Sequence, residues 1–77
     1  SGPTKLVLNY LVTKAWNNGV YYYKLSRFEK AEYWMGLSVK MTHLLPTGDT
    51  VEDGMNKKLG ETITNGYAKT LEFLQSN

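Results

Sequence analysis

The residues with the means to do chemistry are few, and their spacing is poor for it. His43 is the single histidine and there is no cysteine, so the usual pairing of a nucleophile with a base is missing. Metal ligation would have to combine His43 with carboxylates, and no His-x-x-x-His pair is present. Glu29 and Glu32 fall one turn apart on an expected helix, where a capping acid and a solvated acid account for them. The segment "GDTVEDG" carries Asp49, Glu52 and Asp53. It lacks the alternating oxygen ligands and closing glutamate of a calcium loop, and first-turn acids of a helix explain it better. Gly60 and Gly66 are followed by no Lys-Ser or Lys-Thr pair, so they make no phosphate loop. These absences point to a non-enzymatic chain with no catalytic residue, no metal site and no cofactor. His43, near a helix end, is expected to meet the last carbonyls of that helix.

The elements that would position these side chains read as three helices. From Thr4 to Leu25 there is no proline, and Leu8, Leu11, Val12, Ala15, Gly19 and Tyr22 recur at steps of three and four. Asn18-Gly19 is the dipeptide of a tight hairpin. The flanking "LVLNYLV" and "VYYY" lack strict alternation, however, so Gly19 is expected inside a helix that lets a neighbour approach closely. Ser26 with Glu29 three residues on has the form of a capping box. It would open a second helix over 27–44, with Phe28, Ala31, Met35 and Ser38 on one face and Trp34, Leu37 and Met41 widening it. Pro46 and Gly48 stop that helix, and Asp49 or Thr50 would cap a third. Val51, Met55, Leu59, Ile63, Tyr67 and Leu71 then recur at intervals of four, over about 51–75. Gly54, Gly60 and Gly66 each cost that helix about 1 kcal/mol against alanine unless a neighbour packs on them. The expected fold is all-α: helices over 4–25, 27–44 and 51–75 in one module spanning 4–77.

Composition bounds the partners. The chain has 77 residues, 9 basic and 7 acidic, for a net charge of +2, too balanced for direct nucleic-acid binding. No apolar run reaches the roughly 18 residues of a membrane span. The opening Ser1-Gly2-Pro3 resembles the remnant of a cleaved expression tag, which would make the chain a piece of a longer one. Lack of cysteine fits an intracellular setting. What the chain has in excess is apolar and aromatic surface, with more on the first helix than one packing face can use.

The small residues Gly19, Ala31 and Ser38, with Tyr22 and Phe28 between them and Met35 after, resemble the tetratricopeptide repeat, a helical hairpin of about 34 residues. The resemblance covers roughly residues 12 to 45. The chain departs from that pattern at Asn18, where the repeat has leucine, at Trp16, one place late, and at Pro46, about three places late. Within repeat proteins, "WNNGVYYYKLSRFEKAEYWMGLSVK" looks most like the meiosis-specific sporulation and synapsis-initiation scaffolds. That likeness implies a helical solenoid acting in chromosome synapsis and crossover formation, in the nucleus; otherwise a cytoplasmic protein is expected. It assigns Gly19, Tyr22, Phe28, Ala31, Met35 and Ser38 to helix packing. Thr13, Trp16, Asn17, Val20, Tyr23 and Lys24 would form the concave surface that receives a protein partner, an amphipathic helix or an apolar peptide. A carboxylate clamp would need lysine in place of Trp16 and asparagine in place of Val20. A neighbouring repeat is the other expected occupant, and an isolated hairpin plus one helix would tend to self-associate. A rival likeness is to the microtubule-interacting and trafficking domain, also three helices, carried by "FEKAEYW" and "GYAKTLEFLQ". It implies binding of amphipathic tails of membrane-trafficking proteins.

Overall fold

A computed structural model of the chain describes residues 2–76, which form three helices and no strand: α1 Gly2–Lys24, α2 Phe28–Thr42 and α3 Val51–Ser76. The all-α, three-helix expectation holds. Asn18-Gly19 lies inside α1 and no glycine has a positive φ. The hairpin turn never forms because the apolar positions on both sides follow a helical period. Of the expected tag remnant, Ser1 lies outside the described residues, and α1 already begins at Gly2. Pro3 fits there because the N–H groups of a first turn have no intrahelical acceptor.

The expected capping box at Ser26 and Glu29 is not made. Ser26 sits at φ 57, in the left-handed region. The N–H of Ser26 donates to Tyr23 O at 3.0 Å and that of Arg27 to Tyr22 O at 2.9 Å. That pair of bonds is a Schellman closure of α1. A connection of three residues needs one left-handed position to reverse the chain, and Ser26 is spent on it. Arg27 is left to precede α2 without a side-chain cap, so α2 starts at Phe28. At its far end α2 stops at Thr42, two residues short of the expected limit. The free carbonyls there are taken by backbone N–H groups of His43, Leu44 and Leu45 and by the Thr42 hydroxyl. The exposed His43 imidazole is not what closes the helix. Thr50 does cap α3, its Oγ1 accepting the Asp53 N–H at 3.0 Å.

Three close approaches fix how the helices lie. Ser38 Oγ donates to Val12 O at 2.7 Å, and Gly19 sits against the backbone of Ala31 and Met35. These make α1 and α2 an antiparallel hairpin. Gly60 lies against Thr42 and Gly36 against Tyr67, which runs α3 back along α2. Lys5 therefore meets Asp53, Asn9 meets Asn56, Trp16 meets Gly66 and Tyr23 meets Phe73, so α1 and α3 are parallel. The longest dimension, 41 Å, is close to that of 26 helical residues at about 1.5 Å each.

The core gathers Val12, Leu45 and Ile63, with Leu8, Trp16, Val39, Met41 and Leu59 around them. Two expectations shift. Of the expected face of α1, Val12, Ala15 and Gly19 are buried, but Leu11 is exposed. Trp16 is about 40° from Val12 on a helix of about 100° per residue, so it faces inward. On α3, Val51 and Met55 are exposed while Asp53, Asn56 and Ile63 are buried. A strict four-residue interval advances about 40° per step, so a series of six cannot hold one face.

Candidate protein-docking surface

His43, Glu29, Glu32, Asp49 and Glu52 are all exposed, and no group of three metal-ligating side chains exists among the described residues. Asp53 is the exception in burial. Its N–H is taken by Thr50 Oγ1, and Lys5 Nζ stands 3.6 Å from its Oδ1. Hydrogen bonding from Thr50 holds its carboxyl below the ordinary carboxylate value, against the upward push of burial and with help from the charge of Lys5. Oδ1 itself has no hydrogen-bond partner. One turn further in, Asn9 Nδ2 donates to Asn56 Oδ1 at 2.9 Å. These polar pairs tie the first turns of α1 and α3 together.

The residues expected to pack helices do come together at the hairpin. Gly19, Ala31, Met35 and Ser38 are buried, and Tyr22 and Phe28 are half-buried at its turn end. A Cβ on Gly19 would stand 2.6 Å from Met35 Cγ and 3.1 Å from Met35 N, so close approach is the function of that glycine. The expected partner-binding set divides instead. Trp16 lies over Gly66 of α3, whose added Cβ would be 2.8 Å from the indole ring. Tyr23 packs edge-on to Phe28, with ring centroids 5.3 Å apart, and is tilted against Phe73 of α3. Val20 is half-buried. Only Thr13, Asn17 and Lys24 stand fully on the surface. The third helix thus occupies part of the surface that a peptide would take in the hairpin alone.

The open apolar surface is elsewhere, at the end where α1 and α3 begin. Leu6 is 70% exposed, Tyr10 64% and Met55 67%, with Val7, Leu11 and Val51 also exposed. A groove of about 350 Å³ runs between the two helices there, with Leu6, Met55 and Leu59 on its walls and Asn9 and Asn56 among its lining. Singly exposed apolar side chains are ordinary, whereas a cluster of this kind marks a contact surface. The sequence signal for it was the apolar excess on α1. Among the described residues no helix is long and apolar enough to cross a membrane.

No protein-family model matches the chain, and no curated protein and no solved structure matches it.

Proposed function

We propose that the chain is a non-enzymatic protein-interaction module whose apolar end, built from the first halves of α1 and α3, docks an amphipathic helix or a neighbouring helical repeat. One observation carries this reading: the exposure of Leu6 and Met55, which share a groove between the first halves of α1 and α3, with Tyr10 exposed one turn on from Leu6. Such a surface on so small a chain costs solubility unless something covers it. The groove between two parallel helices suits the ridge of a third helix, whose apolar side chains would seat at steps of three and four. The tetratricopeptide resemblance supplies the finer proposal. There the occupant is the next repeat of a scaffold, and the larger protein acts in meiotic chromosome synapsis in the nucleus.

A second reading has its own support. With Trp16 and Tyr23 covered by α3, the three helices satisfy much of one another's surface, as a complete trafficking-type domain would. Its partner would be an amphipathic tail rather than a repeat.

Light scattering after size exclusion, over a wide concentration range, tests the first reading. A species heavier than 8.8 kDa that returns to monomer in the double variant Leu6→Glu, Tyr10→Glu is the expected result. A monomer throughout that also fails to bind the apolar dye ANS refutes it.

A further inference from the structure

The opposite end of the hairpin carries a different surface, with no counterpart at the apolar end. Tyr22, half-buried in the last turn of α1, has two cations over its ring: Arg27 Cζ at 5.8 Å and Lys30 Nζ at 5.4 Å from the centroid. Across from them Tyr33 and Trp34 meet edge-on, with centroids 5.7 Å apart, and Tyr33 is 66% exposed. Together these side chains line a groove of about 800 Å³. Two cations and one carboxylate, Glu29, face it. Among the described residues the one ion pair is Lys5–Asp53, so neither Arg27 nor Lys30 has a carboxylate within 4 Å. A guanidinium that lies on a ring still presents its in-plane N–H donors at the edge.

We infer that this groove binds an acidic peptide segment carrying an aromatic anchor. The excess of positive charge selects the acidic chain, and unpaired donors on an aromatic bed give its carboxylates charge-assisted hydrogen bonds. The rims of Tyr33 and Trp34 receive the anchor edge-on, as aromatic pairs prefer. This site is independent of the apolar end, since the helix between them is 23 residues long.

Two-dimensional NMR of the whole chain is the test, with a synthetic peptide of glutamates flanking one phenylalanine as the probe. Expected are shifts at the Trp34 indole N–H and at Tyr22 and Lys30, weakening as salt is raised. Arg27→Glu and Lys30→Glu, at exposed positions, should each weaken the peptide by about tenfold while the chain keeps its helical circular dichroism. The proposal is overturned by no shift, by equal shifts from the same peptide made with lysines, or by shifts confined to the apolar end. Affinity unchanged in both charge-reversed variants overturns it as well. A response to oligothymidylate in place of the peptide would reassign the aromatic bed to nucleic-acid bases.

Discussion

Alanine substitution should have opposite signs at two helical glycines, Gly54 and Gly19. Gly54 has nothing within 4 Å of an added Cβ. Alanine there gains only helix propensity, about 1 kcal/mol. In a domain this size that raises the melting temperature by about 4–8 °C. At Gly19 the same gain meets Met35 Cγ at 2.6 Å, Met35 N at 3.1 Å and Ala31 O at 3.2 Å. Two of those three atoms are backbone and cannot rotate away, so the overpacking cost belongs near the upper end of roughly 1–3 kcal/mol. The net is a loss of about 2 kcal/mol, or about 8–16 °C. Thermal and urea melts followed by circular dichroism would measure both, with an unchanged urea slope confirming that stability alone has moved. Adding Met35→Ala removes the side-chain clash but not the backbone ones, so it should not rescue Gly19→Ala. A Gly19→Ala protein as stable as the parent, or one fully rescued by Met35→Ala, would refute the close-approach argument. So would a destabilised Gly54→Ala.

Two further outcomes follow from the helix ends. Ser26→Gly relieves a left-handed serine and should stabilise the chain by about 1 kcal/mol, read as a higher urea midpoint. The folded pKa of Asp53 lies below its unfolded value of 3.8, mainly through hydrogen bonding from Thr50. Its contribution is therefore present above pH 3.8 and is lost as the pH falls through the folded pKa. The urea midpoint of the parent should drop across that acid range, and Asp53→Asn should flatten the drop.

Much of this fold was legible because helices write their period into the sequence. Gly19, Ala31 and Ser38 announced a close helical pair, and that pair forms at those residues. The glycines of α3 were legible only as a question, since sequence does not say which ones a neighbour will fill. Trp16 fills Gly66, Thr42 approaches Gly60 and nothing approaches Gly54. Ser26 was misread because a serine before a helix and a serine after one look alike. The length of the turn decided between them. Leu45 escaped as a core residue because it lies in a connection with no period to reveal it. The Asn9–Asn56 and Lys5–Asp53 pairs were illegible for another reason: they join positions 47 and 48 residues apart. Whether Trp16 and Tyr23 face a partner depends on where α3 lies, and a pattern confined to the hairpin does not carry that.

Those distant polar pairs also bear on the order of assembly. The hairpin closes over a connection of three residues, so its contacts form early and at little loss of chain entropy. The third helix can align its first turn with that of α1 only after α2 has carried the chain back. Its seating is then a late step, and the polar pairs set the register of a helix that has three glycines. Connection length thus favours a hairpin that forms first and a third helix that follows, so loosening of the chain should start at that helix.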